Sequence, residues 1–428
     1  MATRLGPPAS ATEALALTEP CDGVPEVVAD PAALGEAARR LAAGSGPVAV
    51  DAERASGHRY GQRAYLVQLR RAGAGTVLVD PVALPDLTAL RDALRGITWV
   101  VHAANQDLAC LAEVGLVPDR LFDTELAGRL LGLPRVGLAT MVGTLLGRSL
   151  AKEHSAVDWS VRPLPEPWLR YAALDVELLV ELRDVVDLAL ARTGKQVWAQ
   201  EEFAWVLAST PGMPGVPRTL RPDPWRRTGG LHRVRDRRGL AVVRELWTTR
   251  DRTAAALDVA PGRLLPDAAI VEAALARPSS VAELGLLAKF RGPGQRRRGA
   301  TWFAAIERAT ALDPADLPGL SLPLSGPPPV RSWPERDPVA AARLAAIRAA
   351  VRVLGVQVGV PAENVLAPEL LRRLAWEPPT DTSERTVAAA LRALGARPWQ
   401  VGLTAARLAE QLTATAADAP AATNVSQP

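Results

Sequence analysis

A chain that opens on short apolar strands, interleaves them with amphipathic helices and then turns wholly helical is expected to fold as an α/β domain followed by small all-α domains. Three observations in these 428 residues carry that expectation. Apolar runs of strand character fall before residue 104, helical spacing dominates from residue 105 onward, and two Pro-rich stretches bracket a helical segment.

In chain order, Asp30-Pro31 reads as a cap followed by proline at the first helical position, opening a helix to about Leu41. Strands are expected at PVAVDAE (47–53), AYLVQLRR (64–71), TVLVD (76–80) and TWVVHA (98–103). DLTALRDALRG (86–96) has helical spacing, and helical patterns cover 105–114, 123–132, 137–146 and 166–191. The expected organisation is a disordered N-terminal tail (1–25), the α/β domain (26–212), a linker (213–232), a helical domain (233–312), a Pro-rich linker (313–338), a second helical domain (339–414) and a disordered tail (415–428). The helical domains look like two copies of one kind, because VAPGRLLPDAAIVEAALARP (259–278) overlays VPAENVLAPELLRRLAWEP (360–378) at an offset of 101 residues.

Composition excludes several classes. Hydrophobic residues make up 48% and charged residues 22%, which is globular. Two cysteines, Cys21 and Cys110, cannot make a disulfide framework and lack zinc-cluster spacing, so a reducing cytoplasm is expected. No stretch approaches eighteen uncharged apolar residues, and the N-terminus lacks an export signal, so neither membrane insertion nor secretion is expected. The net charge is +4, and only Lys152, Lys195 and Lys289 among 50 basic residues are lysine, a bias that suggests a GC-rich genome.

The residues able to carry chemistry are acidic. Asp51 and Glu53, two apart on an otherwise apolar strand, project from one face, where two carboxylates are costly unless something positive compensates them. Asp107 falls in the first turn of a helix after a buried-looking strand. Tyr171 and Asp175 stand at i, i+4 on a helix. Taken singly each has an ordinary explanation: a solvated loop, a helix-start acid, a hydrogen-bonded pair. Their order within one α/β domain (D-x-E, then strand-HAxxxD, then Y-x-x-x-D) resembles the DEDD exonuclease superfamily, tyrosine subgroup. YLVQL, LFDTELAGRLLG and DWSVRPLPEPWLRYAALDV narrow the resemblance to the ribonuclease D family, and RGLAVVRELWTTRDRTAAALDVAPGRLLPDAAIVEAALARPSSVAEL resembles the HRDC domain. The likeness covers roughly residues 26–310 and continues more faintly to about 414.

The resemblance implies a ribonuclease-H-like 3′-5′ exonuclease domain with a mixed sheet, two HRDC-like domains, and hydrolysis of terminal phosphodiesters of RNA with two divalent ions, Mg²⁺ or Mn²⁺. Asp51 would bridge both ions, Glu53 and Asp175 would hold one, Asp107 the other, and Tyr171 would orient the attacking water. Two positions depart from the family. Arg54 stands where an aromatic residue usually follows the glutamate, and Ala52 where threonine often separates the two acids. Substrate contacts are expected from Trp159 and Arg162, and from the basic run of Arg296, Arg297 and Arg298. A further excess of arginine lies between residues 218 and 252. The expected partner is RNA, tRNA precursors included, with DNA as the alternative on the same scaffold. An inactive nucleic-acid-binding protein is disfavoured because no carboxylate is missing. No obligate protein partner is evident.

Overall fold

The computed structural model describes residues 15–150, 157–217, 222–321 and 326–417. Residues 1–14 of the expected tail, and 418–428 of the other, therefore lie outside the described residues. In chain order the first domain comprises β1 (Leu15–Leu17), β2 (Val27–Val28), α1 (Pro31–Ala43), β3 (Ser45–Arg54), β4 (Ala64–Ala72), β5 (Gly75–Val79), α2 (Thr88–Ala93), β6 (Thr98–Val101), α3 (Leu108–Glu113), β7 (Arg120–Asp123), α4 (Thr124–Leu130), α5 (Leu138–Leu146), β8 (Arg148–Leu150), α6 (Glu166–Glu177), α7 (Leu179–Arg192) and α8 (Gln196–Ser209). Asp30 caps α1 as its sequence predicts, accepting from the amides of Ala32 and Ala33 at 3.0 Å each, a contribution of about 1 kcal/mol.

The main sheet is mixed, in the order β2-β5-β4-β3-β6-β7. β4 pairs antiparallel with β3 and β5, whereas β6 runs parallel to β3 and β7. β3 is thus a central strand, and Val48, Ala49 and Val50 are fully buried. Pairing slips between Glu53, which faces Leu66, and Arg54, which faces Ala64. That irregularity bears directly on the site.

Four expectations are corrected. Residues 15–25 are placed on the domain: β1 pairs with β8 far along the chain, and Asp22 meets Arg70 at 2.8 Å. The expected helix 166–191 breaks at Leu178 because its two halves pack differently, α6 over β3, β4 and β5, and α7 against α4 and α5. The other two corrections concern the linkers. Each carries a tryptophan that belongs to the helical domain beyond it: Trp225 is buried in the first helical core, and Trp333 is wholly buried 4.8 Å from Trp376 in the second. A large ring needs a pocket whatever the density of proline around it. α8 itself carries no single apolar stripe, because one side packs on β7 and α4 while the other meets the C-terminal helices.

The first helical unit comprises α9 (Arg237–Leu257), α10 (Pro261–Leu264), α11 (Asp267–Ala276), α12 (Val281–Leu286), α13 (Pro293–Arg297) and α14 (Gly299–Ala311). After the short α15 (Trp333–Arg336), the second comprises α16 (Pro338–Val358), α17 (Ala362–Val365), α18 (Pro368–Trp376), α19 (Glu384–Ala393) and α20 (Pro398–Ala417). Their first three helices keep the 101-residue offset, starting at 237, 261 and 267 in one unit and 338, 362 and 368 in the other. The caps keep it too: Asp236 accepts from Gly239 N–H, and Asp337 from Ala340 N–H. The first unit has its own core, whereas the core of the second is continuous with that of the α/β domain.

Candidate active site

Asp51 and Glu53 reach the site because β3 alternates, and Asp175 reaches it because α6 lies across β3. One carboxylate oxygen from each of these three residues falls within 4.8 Å of the others. Asp107 comes from the opposite wall. It is the N-cap residue of α3, yet its side chain caps nothing, which leaves the carboxylate to face the cavity instead of the helix amides. All four acids and Tyr171 line one cavity of about 270 Å³, together with Arg54, His102, Ala103 and Gln106.

The wall that presents Asp107 is held by a residue that spacing alone did not single out. Asp123, 3% exposed, accepts from the amides of Ala103, Ala104, Glu125 and Leu126 at 2.9–3.1 Å. It caps α4 and at the same time ties down the turn before Asp107, where Ala103 adopts φ +60°. A non-glycine residue in the left-handed region persists only when its surroundings over-determine it, and the Asp123 carboxylate does so here. The available signal was the aspartate of LFDT, one residue before a helix.

Gln68 is a second such residue. It stands directly opposite Asp51 in the β3–β4 pairing and is wholly buried, and neither of its amide atoms has a partner among the described residues. A buried polar group with unmet capacity is costly, and its place opposite Asp51 sets that capacity beside the acid cavity. Its signal was the one polar residue inside YLVQL.

Crowding dominates the electrostatics. Burial raises the proton affinity of all four acids, and repulsion from neighbouring carboxylates adds to it at Glu53, Asp107 and Asp175: Glu53 is pushed up to about 10 and Asp107 to about 8, while Asp51 and Asp175 move in the same direction. Tyr171 shares a hydrogen bond with Asp175 and is likewise driven upward by burial, so its phenol keeps its proton. The four carboxylates that line the cavity offer oxygen ligands of the kind that hard divalent ions prefer. His102 has its Nδ1 2.9 Å from the Thr124 hydroxyl, and burial lowers its pKa to about 4, which keeps the ring neutral.

The expected substrate contacts divide. Trp159 is 0% exposed and packs 5.6 Å from Trp168, in the cluster that also holds the ring of Tyr171. It supports the tyrosine and has no surface to offer a strand. Arg162 forks onto Asp80 at 2.6 and 2.8 Å and also donates to the carbonyl of Tyr65, the residue left over by the slip opposite Glu53 and Arg54. Its guanidinium is spent bracing the irregular strand end. Arg296 and Arg297 stand exposed on α13, and Arg298 is half-buried at its end. Much of the basic run before them is structural. Arg238 gathers the carbonyls of Ala309, Thr310 and Leu312, Arg237 those of Leu317 and Pro318, and Arg250 pairs with Asp267 at 2.6 Å.

Similarity to known proteins follows the same division of the chain. Residues 25–190 match a family model described as 3′-5′ exonuclease, residues 239–306 the HRDC domain, and residues 326–412 a 3′ to 5′ exonuclease C-terminal domain. The chain is 32% identical to ribonuclease D of Gluconacetobacter diazotrophicus over 344 residues, 78% of this chain and 82% of that one. It is 33% identical to ribonuclease D of Granulibacter bethesdensis over 286 residues, 64% and 69% of the two chains. A crystal structure of a protein from Bifidobacterium adolescentis is similar at 40% identity and a TM-score of 0.87, covering 94% of this chain and all of that one. That of Escherichia coli RNase D, described as an exoribonuclease involved in structured RNA processing, is similar at 25% identity and 0.66, covering 91% and 98%.

Proposed function

Because the chain belongs to the ribonuclease D family and is a 3′-to-5′ exoribonuclease, we propose that it trims structured RNA, tRNA precursors included, one 5′-nucleotide at a time with two divalent ions, Mg²⁺ or Mn²⁺. The observation that carries the metal-dependent reading is the convergence of Asp51, Glu53 and Asp175 within 4.8 Å, with Asp107 and Tyr171 on the same cavity. Bound divalent ions would supply charge neutralisation of the phosphodiester and acidification of a water. Asp51, the acid shared between the walls, would bridge the ions; Glu53 and Asp175 would hold one and Asp107 the other. Tyr171, fully protonated and hydrogen-bonded to Asp175, would orient the attacking water without taking its proton.

Substrate class is supported by the RNA-processing role of the Escherichia coli relative and by the HRDC match. The exposed Arg296 and Arg297 are suited to a phosphate backbone, with affinity falling as salt rises. Among the described residues no helix is long and apolar enough to cross a membrane, which suits a cytoplasmic enzyme.

The deciding experiment compares wild type with Asp51→Asn on matched RNA and DNA carrying 3′ overhangs, in Mn²⁺, in Mg²⁺ and in EDTA. Stepwise shortening of RNA that EDTA and the substitution both abolish is expected. Tyr171→Phe should lose less activity than Asp51→Asn, and equal losses would remove the orienting role. Faster shortening of DNA would select the DNA reading, and binding without shortening in either metal would leave only a nucleic-acid-binding protein.

A further inference from the structure

We propose that Arg54 is a specificity-determining residue that grips the 5′-phosphate of the 3′-terminal nucleotide, so that the site recognises a nucleoside 5′-monophosphate unit. The proposal rests on the exonuclease reading and adds a residue to it. On a regular strand Arg54 would project away from Glu53, since neighbours alternate faces. Arg54, however, is the last residue of β3, where the pairing with β4 slips past Tyr65 and the ladder ends. There its guanidinium lies 3.8 Å from the Asp107 carboxylate, on the wall of the acid cavity.

Three further observations suit it to phosphate. Among the described residues lining the cavity, Arg54 is the one arginine or lysine, and it stands beside four acids. Its contact with Asp107 is longer than a hydrogen bond, so the fork of N–H donors is not satisfied by it. The side chain is 33% exposed and also lines the adjoining cavity formed by Ser56, Gly57, His58 and Val157, which gives the guanidinium room to turn. A planar fork matches phosphate better than an ammonium does. Once Asp107 is engaged by a cation, the guanidinium has no free carboxylate to face, and the substrate phosphate becomes its partner. After hydrolysis that phosphate leaves on the released nucleotide, so the same contact binds the product.

The test measures AMP binding by calorimetry and adenosine binding by NMR titration, both in Mn²⁺, for wild type, Arg54→Ala, Arg54→Lys and Arg54→Phe. Circular dichroism monitors the fold, and electron paramagnetic resonance gives the Mn²⁺ affinity of each protein. Arg54→Ala should weaken AMP by about tenfold or more while leaving adenosine unchanged. Lysine should restore part of the loss and phenylalanine none, and the RNA KM should rise more than kcat falls. The proposal is overturned if AMP binding is unchanged in Arg54→Ala, if phenylalanine restores it, which would mean stacking on the base, or if the loss is matched by an equal loss of Mn²⁺ affinity. Failure of the exonuclease reading looks different: wild type itself would then release no 5′-nucleotides from RNA.

Discussion

The two helical units share a register of 101 residues and present the same corner to the catalytic domain, yet they are attached by different physics. In the first unit the corner is Asp258 to Arg263, and it touches the loop after β3 through polar groups. Ala260 N–H donates to His58 O at 3.0 Å, Arg263 to Gly57 O at 2.8 Å, and the Tyr60 hydroxyl to Asp251 at 3.1 Å. Asp258 takes φ +47° where its counterpart is Gly359, and its carboxylate accepts from Tyr60 N–H at 3.3 Å. In the second unit Gly359 accepts from Lys195 at 3.2 Å and lies so close to Gly132 that a Cβ there would meet its carbonyl at 2.5 Å. Around that corner apolar packing is added to such polar contacts. Trp399 stacks on Trp198 with centroids 4.7 Å apart, and the two cores merge. The lesson is one of division: the second unit completes the catalytic domain, whereas the first is a separate body seated on the strand end that carries Glu53 and Arg54.

Deleting residues 326–428 should break the comparison most sharply, because it strips the apolar cover from α8. Aggregation or loss of cooperative unfolding is expected by size-exclusion chromatography and calorimetry, and a soluble fragment with an unchanged Tm would show that the merged core is incidental. Smaller, but still large, is Glu202→Ala. Glu202 is 4% exposed and accepts from Arg397 at 2.7 Å and from the Trp399 indole at 2.8 Å, so its loss leaves a half-buried guanidinium and a buried indole N–H without their acceptor. Denaturant unfolding should show a cost of about 3–5 kcal/mol.

The acid cavity beside the polar seam gives a third prediction. In metal-free protein Glu53 holds its proton up to about 10 and Asp107 up to about 8, whereas in the unfolded chain both release theirs near the ordinary carboxylate value of about 4. The folded state binds more protons across that interval, so its stability is greatest below about pH 4 to 5 as far as these groups are concerned, and falls as pH rises through about 8 and then about 10. Glu53→Gln should therefore flatten the pH dependence of the metal-free Tm and raise it at pH 8, while abolishing RNA trimming. Added Mn²⁺ should stabilise wild type more than the variant. An unaltered Tm profile would mean the acids are not strained. The smallest effect belongs to the first unit's seam. Tyr60→Phe removes one hydrogen bond and should cost about 1 kcal/mol or less, with a detectable drop in RNA trimming because the loop it holds leads directly from Arg54. Unchanged trimming would make this seam a tether and nothing more.

Much of the site was legible because its chemistry depends on short-range spacing. Asp51 and Glu53 had to share a face of a strand, and Tyr171 and Asp175 a face of a helix. Both statements hold locally, and only the meeting of the two pairs required the fold. The misplaced contacts failed for an equally plain reason. Whether an arginine is free depends on what lies beside it, and Arg162 found Asp80 across a long stretch of chain. Trp159 reads as an aromatic near a motif, and only packing turns it into the support beneath Tyr171. Asp123 and Gln68 sat inside quoted motifs, but their work is done on residues distant in sequence.

Local periodicity, turn chemistry and charge spacing by themselves pointed to an α/β domain ahead of paired helical units and to acidic residues sharing a strand or helix face; that five residues could act together on a phosphodiester came from the resemblance to the ribonuclease D family. Those local properties are written in neighbouring residues and need no knowledge of the rest of the chain. The tertiary structure alone decided which helical unit merges with the catalytic core, which arginines are spent on carbonyls and carboxylates, and that the Arg54 guanidinium stands beside Asp107 on the acid cavity. Burial, strand register and the identity of a distant partner are set by packing, where the free energy of each group depends on everything that surrounds it.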